Sequence, residues 1–125
     1  MKTNRKNLVD KLDKLISQIV RAYEHGICEH CKGKANQCHH YFGRMRYSTR
    51  FEFDNCLSLC WVCHRYWAHQ KYEDCRDYLI SRIGQKRFDE LKLLSNQTAD
   101  FSESDLEEKV AEYSILLKNL NETYS

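Results

Sequence analysis

The sequence predicts a small α+β fold, a metal-stapled centre of two short strands and a helix with N-terminal and C-terminal helices on either side. Three observations predict it. Two CxxC pairs, CEHC at 28–31 and CWVC at 60–63, bracket the middle of the chain. Between them, short runs of strand formers such as Tyr41-Phe42 and Leu57–Leu59 are separated by turn and polar residues. Outside them, apolar residues recur at spacings of three and four.

The expected segments are an N-terminal helix at 1–26, a zinc-stapled core at 27–71, helices closing that core at 72–95, and a linker with a C-terminal amphipathic helix at 96–125. In the first, Leu8, Leu12, Leu15, Ile16, Ile19, Val20 and Tyr23 make one stripe, Asn4 or Asn7 caps the start, and Gly26 fits just past the end. Gly33 follows the first CxxC and is expected to take a positive φ. Residues 36–42 and 56–59 read as strands, joined by a basic loop with a hairpin return at 43–53. A helix starts at 61, and two more pieces follow at 72–82 and 85–94, divided at Gly84. Ser102 with Asp105 resembles a capping box. From there Leu106, Val110, Tyr113, Leu117 and Leu120 form a last stripe. The terminal helices either pack within one chain or supply a homodimer interface.

A chain of 125 residues buries only a modest core, so a bound metal is a useful staple. Seven cysteines with no secretory-type apolar run at the start point to an intracellular protein with metal thiolates rather than disulfides. No apolar run is long enough to span a membrane. Residues 1–50 carry 11 lysines and arginines against four acidic residues, while residues 96–125 carry two against seven. A basic front implies an anionic partner there.

Cys28, Cys31, Cys60 and Cys63 supply the four soft ligands that a tetrahedral structural zinc requires. The 28 residues between the pairs exceed a plain zinc ribbon's spacing. Cys38, Cys56 and Cys75 are left over and read as small buried hydrophobes.

The long gap holds His39, His40 and Asn55, and His64 and His69 follow Cys63. Singly, each histidine is ordinary. Together they offer what a metal-dependent phosphodiesterase needs: a base active near neutral pH, ligands for a Lewis-acidic ion, and nearby positive charge. Adjacent strand residues face opposite ways, so His39 and His40 are expected to share a site only if the strand twists or bulges before Gly43. His69 lies five beyond His64, one position off an α-helical i,i+4 pair.

In the order CEHC, His39-His40, Asn55, then Cys60 to Cys63-His64, the chain resembles the zinc-bearing branch of the HNH nucleases, the ββα-metal fold. More loosely, the RFEFDN and GQKRFDELK stretches are similar to phage recombination endonucleases of the NinG (Rap) type. The resemblance implies roles. His40 is the general base, and Asn55 orients it or its loop. His39 and His64 hold the catalytic ion, Mg²⁺ or Mn²⁺, with Zn²⁺ or Ni²⁺ also acceptable to imidazole, and His69 is a further ligand or phosphate contact. Hydrolysis of DNA would leave a 5′-phosphate and a 3′-hydroxyl, on branched or recombination DNA, in the cytoplasm of the bacterial host of a phage or prophage. Arg44, Arg46, Arg50, Arg65 and Lys14 are the principal candidate phosphate contacts. Two rivals fit the same sequence: a non-catalytic, zinc-stabilised DNA-binding module, and a zinc scaffold for protein assembly.

Overall fold

The N-terminal stripe folds as helix α1, Asn4–Tyr23, within a computed structural model that describes residues 3–124. Thr3, rather than Asn4 or Asn7, caps it, its hydroxyl accepting from the Lys6 N–H at 3.1 Å. Leu12, Ile16 and Ile19 are fully buried, each worth roughly 2 kcal/mol of transfer free energy. At the other end, the His25 N–H bonds to Ala22 and the Gly26 N–H to Arg21. This is a Schellman closure in which His25 takes the left-handed position ahead of Gly26.

Strand β1, Gln37–His40, pairs antiparallel with β2, Cys56–Leu59. The register sets His39 opposite Leu57 and His40 opposite Cys56. It is regular, so the expected bulge is absent. The expected basic hairpin return is instead one turn of helix, α2 (Tyr47–Arg50), followed by a 3-10 turn at Phe53–Asn55. Asn55 explains the difference. Fully buried, its amide nitrogen donates to the Phe42 and Thr49 carbonyls at 3.0 and 3.1 Å, and its oxygen accepts from the Phe42 N–H at 2.8 Å. That single side chain draws the connection onto the start of β2.

The sheet separates two cores. Leu57 and Leu59 on one face join Cys28, Trp67, Leu79 and Phe88. Cys56 on the other joins the stripe of α1, Phe51, Leu106 and Tyr113. After β2 come α3 (Trp61–Cys63), a π-helical turn at His64–Ala68, then α4 (Tyr72–Ile83) and α5 (Gln85–Ser95), divided at Gly84 with φ 90°. Helix α6, Glu103–Tyr124, begins with a reciprocal capping box, Asp105 N–H to Ser102 Oγ and Ser102 N–H to Asp105 carboxylate, both 3.0 Å. Asn4 bonds to Glu103 near the starts of α1 and α6, and Leu15 lies beside Leu117 further along. The two helices therefore run side by side in the same direction, and their stripes cover each other within one chain. Among the described residues no helix is long and apolar enough to cross a membrane.

Candidate metal centres and the histidine pair

The four cysteines converge. Their sulfurs lie within 4.8 Å of one another, and Cys31 and Cys60 are 3.8 Å apart. A tetrahedron with zinc–sulfur bonds of about 2.3 Å has sulfur–sulfur edges of about 3.8 Å, so the donor set fits Zn²⁺. Local backbone prepares it. The Gly33 N–H points at Cys31 Sγ at 3.4 Å. The Cys63 N–H donates to Cys60 Sγ at 3.3 Å, making Cys60 the N-cap of α3. Burial pushes the Cys28 thiol up, but backbone N–H donors of Cys31, Cys60 and His30 outweigh it and bring the pKa down to about 7. The positive φ expected at Gly33 falls on Lys32 instead, at 67°. Gly33 matters for another reason: a Cβ there would meet Cys31 Sγ at 3.4 Å.

The second centre is made of histidines. His39, His64 and His69 present ring nitrogens within 4.8 Å of one another, and the Nε2 atoms of His64 and His69 are 3.2 Å apart. The π-turn accounts for the spacing that an α-helix would spoil. With hydrogen bonds running i to i+5, residue 69 returns over residue 64. Trp67 secures the turn by stacking on His30 of the first knuckle, centroids 4.1 Å apart. Burial, then the neighbouring His64 and His69, lowers His39 to about 3, and burial likewise lowers His64. His39 and His64 are therefore biased toward the neutral form that binds metal. Three imidazoles form a borderline-soft set, better matched to Zn²⁺ or Ni²⁺ than to Mg²⁺, which demands oxygen ligands.

His40 stands apart, on the opposite face of β1. Its Nε2 lies 3.0 Å from the Arg50 carbonyl. A carbonyl only accepts, so Nε2 carries the hydrogen and Nδ1 the lone pair. Nδ1 is buried and has no hydrogen-bond partner. Burial, with Arg44 and Arg50 nearby, lowers the pKa to about 4 against the opposing pull of the Arg50 carbonyl, leaving the ring neutral at physiological pH. The Arg50 carbonyl directly follows Thr49, whose own carbonyl Asn55 holds. Asn55 thus ties down the segment whose carbonyl meets His40, with both amide hydrogens and the oxygen bonded within that loop.

The basic residues divide. Arg50, 7% exposed, turns inward, its guanidinium bonded to both Asp13 oxygens at 3.1 and 2.7 Å and to the Arg44 carbonyl at 2.8 Å. It is a structural tie, not the phosphate contact expected. Arg46 bonds to the Ser95 carbonyl and the Asn96 side chain. Lys14 and Arg44 border a groove of about 340 Å³ between α1 and β1, with His40 and Cys38 in its lining. Arg65 is exposed and lies over Trp61 and Tyr66, themselves half exposed.

Two residues with large roles carry no local signal. Asp13 reads as one more polar position of α1, yet it anchors Arg50 and Arg44. Burial would raise its pKa, but those two guanidiniums outweigh it and hold the carboxyl below its ordinary range. Glu29 sits inside the first knuckle as an unremarked x of CxxC. Its side chain is buried, accepting from the Ser58 N–H at 2.6 Å and from Tyr78 and Arg82 at 2.7 Å. It pins the knuckle to β2 and α4.

Fold and clusters together define an α+β protein with a zinc-fitting cysteine centre and a separate histidine centre on one small sheet. A family model described as the bacteriophage lambda NinG protein matches residues 1–123. The chain belongs to the NinG family. Searches of curated proteins and of solved structures found no match.

Proposed function

We propose that this chain is a metal-dependent DNA endonuclease of the HNH type that acts in phage recombination. The observation that carries the reading is the pairing, on adjacent residues of one strand, of a three-histidine metal-fitting cluster with a histidine whose tautomer leaves a bare Nδ1. A pure DNA-binding module has no use for that pairing. Membership of the NinG family supports the phage setting, and branched or recombination DNA is the substrate class we propose.

The chain's own residues divide the work. His39, His64 and His69 would hold the ion, which would supply Lewis-acid polarisation of the scissile phosphate and the departing 3′ oxygen. His40 Nδ1 takes a proton from water. In-line displacement puts attacking and leaving oxygens on opposite sides of phosphorus. A base on one face of β1 and ion ligands on the other suit that requirement without any bulge. Asn55 keeps the Arg50 carbonyl against His40 Nε2, so the lone pair stays on Nδ1. Lys14, Arg44 and Arg65 offer positive charge to flanking phosphates. Because the ligand set is all nitrogen, Zn²⁺ or Ni²⁺ is the expected working ion ahead of Mn²⁺ or Mg²⁺.

The test is cleavage of plasmid and branched DNA by the purified chain with each of these ions and with EDTA. Wild type should cut, and His40→Ala should cut at least about 100-fold more slowly while retaining its metal. No cutting with any ion, or equal cutting by His40→Ala, would overturn the proposal.

A further inference from the structure

Cys38 and Cys56 acquire a role that their sequence positions did not suggest. Cys38 is only half buried and lines the groove beside α1, on the same face of β1 as His40. Cys56 lies directly across the ladder from His40. The two sulfurs and a ring nitrogen of His40 are all within 4.8 Å of one another. The His40 Nε2–H is fixed on a backbone carbonyl, the arrangement by which metal-bound histidines are usually oriented. Its other nitrogen, Nδ1, is a buried lone pair with no partner. Two thiols and an unpartnered imidazole nitrogen are three of the four ligands of a zinc site, and Cys38 and His40 also line the groove beside α1.

We infer that Cys38, Cys56 and His40 Nδ1 form a further site for a thiophilic divalent ion of the Zn²⁺ class, separate from the four-cysteine and three-histidine centres. Binding releases two thiol protons to solvent as two thiolates form, so the occupied centre is electrically neutral and costs little to bury. Tetrahedral ligands sit about 3.5–3.8 Å apart, and the triad, with its ligand atoms within 4.8 Å of one another, lies near that spacing. Occupancy has a consequence that rests on the nuclease reading: it ties up the lone pair of the proposed base. Zinc in excess would then switch cleavage off.

The experiment is metal uptake by the full chain, purified with its structural zinc and kept reduced, for wild type, Cys38→Ser and Cys56→Ala. Co²⁺ serves as the spectroscopic probe and Cd²⁺ as the NMR probe. Wild type should bind one more ion per chain than Cys38→Ser, and that ion should show thiolate charge transfer from two sulfurs. With the four-cysteine centre kept in zinc, cadmium NMR of wild type should resolve two donor classes, three-nitrogen and mixed two-sulfur-one-nitrogen. Equal stoichiometry in wild type and Cys38→Ser, or no mixed signal, overturns the site. So does a reductant-sensitive loss of two hydrogens without metal uptake, which marks a Cys38–Cys56 disulfide. Cys38 faces the groove, so its variant reports even where Cys56→Ala fails to fold. In the cleavage assay, excess Zn²⁺ should suppress wild type at least about 10-fold more than Cys38→Ser, and equal suppression overturns the switch. If neither protein cuts DNA, the nuclease reading fails, while the metal count still decides the site.

Discussion

The two faces of β1 differ in the kind of order that they impose on a histidine. On one face His39 looks onto His64 and His69, all three rings free of backbone hydrogen bonds among those described and gathered by a π-turn. On the other face His40 is locked by a carbonyl, which is locked in turn by Asn55. The first arrangement leaves nitrogens converging on one point, which is a place for a cation. The second leaves a single lone pair with a fixed direction, which is a place for a proton or for an ion that competes with it. Neighbours in sequence thus have unlike chemistry because a strand sends them to opposite sides.

The harshest way to break the contrast is to remove the frame that holds both faces. Cys60 belongs to the zinc-fitting set and caps α3, which leads into the π-turn. Structural zinc binding is worth about 10–16 kcal/mol, comparable to the stability of a whole domain. Cys60→Ser, or stripping of the zinc by a strong chelator, should therefore unfold the chain, losing far-UV helicity and both histidine faces together. A folded Cys60→Ser protein in circular dichroism would show that the staple is dispensable.

A gentler pair of variants separates the faces. His64→Ala should lower affinity for the histidine-bound ion at least about 10-fold and abolish cleavage, whereas His40→Ala should spare ion binding and lose about 2–4 orders of magnitude in rate. The pH profile sharpens this. The proposed base works in its neutral form, and burial has lowered its pKa to about 4. Activity at saturating metal should hold as pH falls from 8 through 6, with the acid limb nearer 4 than the usual 6.5. An inflection at 6.5 that disappears in His40→Ala would show an ordinary, solvated histidine.

Asn55 links the faces through the loop. Its replacement by Ala strips three hydrogen bonds from a fully buried site. The expected cost is about 2–4 kcal/mol in denaturant unfolding. If metal uptake at His39, His64 and His69 survives while cleavage falls, Asn55 serves the His40 face alone. The smallest effects belong to the rim. Lys14→Ala and Arg65→Ala should each weaken DNA binding modestly and reduce its salt dependence by about one counterion. An unchanged salt slope would remove that residue from the DNA path.

Much of the frame was legible because it rests on local rules. Stripes at spacings of three and four announced α1 and α6, Gly84 divided α4 from α5, Ser102 and Asp105 announced their own cap, and the CxxC spacing announced the cysteine centre. The connection at 43–53 was misread, since its path is dictated by Asn55 reaching back to Phe42 and Thr49, a non-local satisfaction of buried amides. Arg50 looked like a phosphate contact because nothing nearby in sequence marks Asp13, 37 residues earlier, as its partner.

By itself the sequence determined which residues are ligands in kind: four cysteines spaced for a zinc tetrahedron, and histidines threaded between and after them. Ligand chemistry and periodicity are local properties, readable one residue at a time. The family resemblance had already assigned His39, His64 and His69 to one ion and His40 to another role, but only the tertiary structure supplied the geometry that groups them so. The regular ladder of β1 parted His39 from His40. A π-turn, buttressed by Trp67 on His30, brought His69 over His64. The pairing of strands set Cys56 beside His40. Each of these is a consequence of backbone geometry closed by distant partners, so each was settled only when the two cores packed against the sheet.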